Sequence, residues 1–158
     1  MGIEIERKFL VYPGREDFQA AIAAAKSEEM KQGYLVDEDS RTLRIRYSEF
    51  DGYELTYKGS STSDGLCRTE IEDIVSEEIG EAMFTLCTPA VLLKTRHYIH
   101  LDGLIWEIDE FHNVDGVYWL AEVEIPTIDT EVTILLWVKE EATGNAAYYN
   151  SQLIKKVF

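Results

Sequence analysis

Charged side chains recur in this chain two residues apart, and they are sorted by sign. Glu4, Glu6 and Lys8 alternate with Ile3, Ile5 and Phe9. Further along come Arg44 and Arg46, then Glu70 and Glu72 with Arg68 ahead of them, then Lys94 and Arg96, Glu107 and Asp109, and Glu122 and Glu124. Lys58 closes a run in which Glu54, Thr56 and Lys58 share a parity. A period of two puts such residues on one face of a β-strand. One isolated Glu-x-Glu-x-Lys is what the solvated face of an edge strand would show. Repetition over six strands, with acids and bases segregated by strand, is not the Thr-, Ser- and Lys-rich mixture of an exposed sheet face.

Those residue types suit a definite chemistry. Arg forks and Lys point charges match phosphate oxygens. Clustered carboxylates match hard divalent cations such as Mg²⁺ or Mn²⁺. Bare carboxylates about 4 Å apart repel by roughly 4 kcal/mol at an effective dielectric near 20, so a shared interior for them requires counter-ions. A metal-bound polyphosphate satisfies both charge sets at once.

The elements that must hold these faces follow from periodicity. Strand 1 ends at Pro13-Gly14, and a helix is expected from Arg15 to about Glu29, with Phe18, Ile22 and Ala25 inward and Ala20 to Ala25 as strong helix formers. Glu28 and Glu29 would lie on its solvated face. A short strand is expected around Gly33 to Val36. Hairpins follow at Asp51-Gly52, Asp102-Gly103 and Asp115-Gly116, since both residues tolerate positive φ. Gly59 to Gly65 reads as a loop. Ser76 opens a second helix whose buried stripe would be Ile79, Met83, Phe84 and Leu86, stopped by Pro89. From Thr127 onward two short helices are expected, with Glu140 and Glu141 on a solvated face. Hairpins dominate, so the fold class is α+β, a mostly antiparallel sheet with helices outside. If about eight strands close into a barrel with their apolar faces outward, the charges line its interior.

Composition bounds the function. At 158 residues the chain is one domain, residues 1–158, with 46% hydrophobic residues. Fifteen Lys and Arg against 30 Asp and Glu give a net charge of −15, which opposes general binding to nucleic acid or an anionic membrane. Cys67 and Cys87 lack metal-site spacing and read as ordinary reduced thiols. Neither a membrane span nor a signal peptide is indicated, so a cytoplasmic protein is expected. Trp106 and Trp119 fall on the outer parity and read as packing residues; His100 and His112 read as surface residues.

The ordered set of Glu4-Ile5-Glu6-Arg7-Lys8, Arg44-Ile45-Arg46, Thr56-Tyr57-Lys58-Gly59, Arg68 with Glu70 and Glu72, Lys94-Thr95-Arg96, Trp106 to Phe111, Glu122-Val123-Glu124 and Tyr148-Tyr149-Asn150-Ser151 resembles the CYTH superfamily, the triphosphate tunnel metalloenzymes. The resemblance implies an eight-stranded tunnel that binds a linear triphosphate with Mg²⁺ or Mn²⁺. It implies metal ligation by Glu4, Glu6 and Glu124, with Glu122, Glu70 and Glu72 contributing, and a phosphate grip by Lys8, Arg44, Arg46, Lys58, Lys94 and Arg96, joined by Arg68. Glu4, Glu6, Lys8, Glu122 and Glu124 become the catalytic candidates, with Glu107 and Asp109 in a second line. The activity implied is hydrolysis of inorganic tripolyphosphate to pyrophosphate and phosphate. A class IV adenylyl cyclase, a nucleoside or thiamine triphosphatase, and a non-catalytic polyphosphate-binding module are the alternatives. A homodimer is a candidate assembly. Two departures stand out: His97 where Tyr is expected, on the outer parity, and Leu136 to Ala142, on which the closing of one tunnel mouth depends.

Overall fold

Each alternating stretch is a strand in the computed structural model, which describes residues 2–158. In chain order the elements are β1 (Gly2–Val11), α1 (Glu16–Ala24), β2 (Lys26–Glu38), β3 (Arg41–Ser48), β4 (Gly52–Ser61), β5 (Cys67–Val75), α2 (Glu77–Phe84), β6 (Leu92–Leu101), β7 (Leu104–Phe111), β8 (Trp119–Glu124), β9 (Val138–Glu141) and α3 (Asn150–Leu153). Short 3-10 turns flank α3 at Ala146–Tyr148 and Ile154–Lys156.

All pairings are antiparallel in the order β5-β4-β3-β2-β6-β7-β8-β1, and β1 returns to β5, closing an eight-stranded barrel. The closing register runs from Gly2 opposite Glu70 to Ile5 opposite Cys67. The Asp-Gly hairpins behave as their sequence dictates: Gly52 at φ 77°, Asp102 and Gly103 at φ 51° and 76°, and Gly116 at φ 75° occupy the left-handed region. A ninth strand lies outside the ring. The Glu6 N–H donates to Leu66 O, and the Lys8 carbonyl accepts from the Ala142 N–H. β5 and β9 therefore follow one another along a single edge of β1 while β8 holds the other.

Four expectations are corrected. The first helix ends at Ala24, not near Glu29, because ladder pairs from Lys26 opposite Tyr98 to Gln32 opposite Leu92 capture the chain in β2. Tertiary pairing overrides the helix propensity of the alanine run. Glu28 is accordingly on no solvated helix face: it is buried in β2, accepting hydrogen bonds from the Tyr98 hydroxyl and the Phe50 N–H. The α2 stripe is also different, since Ile79 and Leu86 are exposed and Gly80 is the buried residue. A Cβ at Gly80 would meet the Tyr53 ring at 2.2 Å, so the bare backbone of α2 rests on β4. Beyond Thr127 the chain forms irregular structure and β9 before its short helix; Glu140 and Glu141 are on that strand, where Glu141 pairs with Arg7.

The outer core forms where the apolar outer faces of β1, β7 and β8 meet α1. Trp106 is fully buried against Phe9 and Trp137, and Phe18 of α1 meets Trp119 and Trp137 edge-on. Outer-face His97 pairs with Glu110 beside Trp119. Among the described residues no helix is long and apolar enough to cross a membrane.

Candidate active site

Residues of tunnel-facing parity fill the barrel in two unlike halves. Toward one end Leu92, Phe111 and Leu120 are dry and packed against Leu153 and Ile154 of the C-terminal segment, with Tyr34 at their border. The other half is a cavity of about 260 Å³ walled by charge. Its cations are Lys8, Arg44, Arg46, Lys58, Arg68 and Arg96; its carboxylates are Glu4, Glu6, Glu54, Glu70, Glu72, Glu107, Glu122 and Glu124. Neighbouring strands place them together: Glu6 is opposite Glu124 and Lys8 opposite Glu122 across β1 and β8, and Lys58 is opposite Glu70 across β4 and β5.

Most of these charges are already paired within the wall. Lys58 Nζ lies 2.8 Å from Glu4 and 3.4 Å from Glu70. Burial alone would raise the Glu4 carboxyl, but the Lys58 ammonium overcomes it and holds Glu4 at about 2. Lys8 Nζ is 3.0 Å from Glu122 and donates to the Tyr148 carbonyl, also at 3.0 Å. Arg46 is 2.8 Å from Glu54, whereas Arg44 bonds Thr56 through Nη2 and leaves its buried Nε without a partner among the described residues. Arg68 holds the Gly59 carbonyl.

Lys94 does not line the cavity. It is 1% exposed, with Nζ 2.7 Å from Asp109 Oδ2, and Asp109 also receives the Arg96 fork at 2.7 and 2.8 Å. Asp109 thus lies behind the wall and fixes the guanidinium of Arg96, which faces the cavity and reaches Glu107. Burial opposes the Asp109 charge, yet the two cations keep its carboxyl below the usual range. Burial pulls Lys94 down to about 8 despite its partner.

Glu6 and Glu124 are different. They are direct cross-strand partners and neither has an ion pair among the described residues. Burial first, then Glu122 and Glu4, push the Glu6 carboxyl well above its ordinary value. Glu124 is raised by burial and by Glu4 and Glu107, and Glu70 rises to about 7 by burial and the nearby Glu4. Like charges directly opposite on a sheet destabilise it, and an interposed divalent cation removes that conflict with ligands of the right hardness. The donor set fits such an ion. Among the described residues no three acidic, His or Cys side chains converge as a ready-made cage, because Glu4 and Glu122 are turned to their lysines.

One end of the cavity is walled by residues that the alternation does not reveal. Tyr149, Asn150 and Ser151 line it from the C-terminal segment, with Gly65 and Leu66 from the β4–β5 connection. The Tyr149 ring lies under Lys8 at 5.4 Å and Arg68 at 5.9 Å. Tyr34 and Thr42 also face the cavity; burial raises the Tyr34 phenol. Glu54 and Thr56 were legible from their shared parity with Lys58, but the C-terminal residues carry no periodic signal.

Comparison with known proteins agrees with this geometry. The profile described as the CYTH domain matches residues 2–156. An inorganic triphosphatase of Acetivibrio thermocellus is 35% identical over 159 aligned residues, covering 100% of this chain and 97% of the relative. The crystal structure of the inorganic triphosphatase NE1496 superposes with a TM-score of 0.63 at 29% identity, over 98% of this chain and 95% of that one. A putative adenylyl cyclase from Hippeastrum, HpAC1, shares the fold at 17% identity and a TM-score of 0.60, with 80% of each chain covered.

Proposed function

The chain belongs to the CYTH domain family, and on that premise we propose that it is a metal-dependent inorganic triphosphatase that cleaves tripolyphosphate to pyrophosphate and phosphate within its barrel. The observation that carries this reading is the wall itself: six cations facing eight carboxylates, with Glu6 and Glu124 opposed and unneutralised. A cavity for an anion alone would have no use for that acidic pair.

The residues divide by what they can do. Arg44, with its free Nε, together with Arg46, Arg96, Lys8, Lys58 and Arg68, binds phosphate oxygens and stabilises charge as it moves onto them. Glu6 and Glu124, with Glu4 and Glu122 turning from their lysines, would hold Mg²⁺ or Mn²⁺, and Glu72 is a further donor at the rim. When bound, the cation would supply charge neutralisation and Lewis-acid polarisation of the phosphate. Water attacks a terminal phosphorus, the bond to the bridging oxygen breaks, and pyrophosphate leaves with that oxygen. Glu70, raised to about 7 by burial and the nearby Glu4, is one wall carboxylate that can exchange a proton near neutral pH. Catalysis here is positioning and electrostatics.

Phosphate release from tripolyphosphate, ATP and thiamine triphosphate, each with Mg²⁺, Mn²⁺, Ca²⁺ or chelator, tests the proposal. Metal-dependent release with tripolyphosphate preferred supports it; equal or greater rates with ATP would move the assignment to a nucleotide enzyme, and no release with any ion would leave a binding module. The half-buried free thiols Cys67 and Cys87 accord with a cytoplasmic setting.

A further inference from the structure

The cavity has two unlike ends, and together they can measure a linear anion. At the end next to the apolar half the Tyr149 ring lines the cavity, with Lys8 and Arg68 over it. Two contacts keep that wall in place. Leu153 and Ile154, 0% and 1% exposed, anchor the segment behind the ring in the apolar half of the barrel. On the other side the β4–β5 connection meets the Ala142–Asn145 turn backbone to backbone: a Cβ on Gly65 would lie 2.2 Å from the Gly144 Cα, and one on Gly144 would lie 2.7 Å from the Asp64 carbonyl oxygen. Neither backbone has room to shift toward the other. The buried Asn150 Oδ1, beside the ring and lining the cavity, has no partner among the described residues.

At the open end the charge has the opposite sign. Glu72 and Glu124 are exposed there, neither has a cation partner among the described residues, and both extend into a shallower adjoining hollow shared with Glu4 and Glu70. A chain that starts at the Tyr149 ring passes the six cations and then meets carboxylates only.

We propose that Tyr149 is a chain-length stop: it sets where the first phosphate rests, so that a longer chain must place its additional phosphate past the reach of the six cations, at the open rim. This rests on the proposed triphosphatase reading and adds its specificity. Short linear inorganic polyphosphates are then distinguished by length, with tripolyphosphate fitting and tetrapolyphosphate carrying its extra charge beyond the cations. Hydrolysis is confined to the chain end: water adds to a terminal phosphorus, the bridging P–O bond breaks, and orthophosphate separates from the shortened chain.

The test compares kcat and KM for tripolyphosphate and tetrapolyphosphate on the full-length protein with its preferred divalent ion. For the unaltered chain, kcat/KM is expected to fall on the order of tenfold on lengthening by one phosphate. Tyr149→Ala opens the space behind the ring and should close most of that gap, chiefly through KM for the longer chain, whereas Tyr149→Phe should keep the original ratio because the ring is the wall. Should Tyr149→Ala not fold, Tyr149→Leu, which keeps the apolar bulk and narrows the obstruction, should shift the ratio in the same direction. A loss of equal proportion on both substrates, or no length preference in the unaltered protein, overturns the stop. If tripolyphosphate is not turned over at all, it is the triphosphatase reading that falls. Calorimetric titration of the same two anions then decides the stop independently: an affinity gap erased by Tyr149→Ala upholds it, and equal affinities overturn it.

Discussion

Asp109 and Glu6 are both carboxylates on the inner side of the same barrel, two residues from another acid, yet they meet opposite fates. Asp109 is gripped by Lys94 and the Arg96 fork, and its carboxyl stays ionised. Glu6 faces Glu124 across the ladder with Glu4 and Glu122 nearby, and its carboxyl is driven toward the protonated form. The difference separates a charge that completes the fold from one that waits for a guest. Placement on the tunnel-facing side is common to both; what distinguishes them is whether the chain itself supplies the counter-charge.

The strongest way to break the comparison is Asp109→Ala. It strands two buried cations, and losing one partner of such a cluster should destabilise the fold by about 3–5 kcal/mol, read as a lower denaturant midpoint at unchanged slope. Stability within about 1 kcal/mol of the parent would show that Asp109 is not structural. Glu6→Ala should act on chemistry instead, lowering kcat on the order of 100-fold while far-UV circular dichroism and the unfolding midpoint are retained. A parental rate at saturating metal would remove Glu6 from the site.

Acidity sharpens the contrast. Glu70 titrates at about 7 in the folded chain against an ordinary 4.5, so between those values the native state binds more protons than the unfolded one, and stability falls as pH rises through the window. Glu4, held at about 2, contributes in the other sense: its stabilisation is present above 4.5 and lost as pH falls toward 2. The metal-free Tm should therefore decline from mildly acidic to neutral pH, and the gain in Tm on adding Mg²⁺ or Mn²⁺ should grow over the same interval. A metal-induced gain independent of pH would contradict the assignment of these carboxylates. The smallest effect is expected from Glu6→Gln, which mimics the protonated acid: the metal-free Tm should rise by about 2–4 °C at mildly alkaline pH and stay unchanged under acidic conditions. Asp109→Asn should lower it at both.

The alternation of charges made the barrel and most of its lining readable in advance, since Glu4, Arg44, Lys58 and Glu122 need only the parity of their strands to be placed. Lys94 and Arg96 share that parity, and parity does not say which of two neighbours a buried Asp109 will withdraw from the cavity. Depth along the barrel axis depends on register, which one strand does not contain. Glu28 was misplaced because the alanine run ahead of it favours a helix and nothing nearby announces the seven-pair ladder to β6. Tyr149 and Asn150 belong to a terminal motif that the sequence shows, but it does not show their place in the cavity, which they enter from a short irregular segment positioned by Leu153 and Ile154 packing on residues far away in sequence.

β1 meets β5 first, then β8 on its other edge, and finally β9, all of them synthesised later than itself. Its first partner, β5, ends at Val75, but its other edge has no partner until β8 is made at Trp119–Glu124, and β9 follows only at Val138–Glu141. Ring closure is thus a late event of high contact order, and the acidic motif at its centre becomes a functional site only when that event is complete. A chain truncated before β8, however well its internal hairpins form, would leave Glu6 and Lys8 without the opposing Glu124 and Glu122 and do no chemistry.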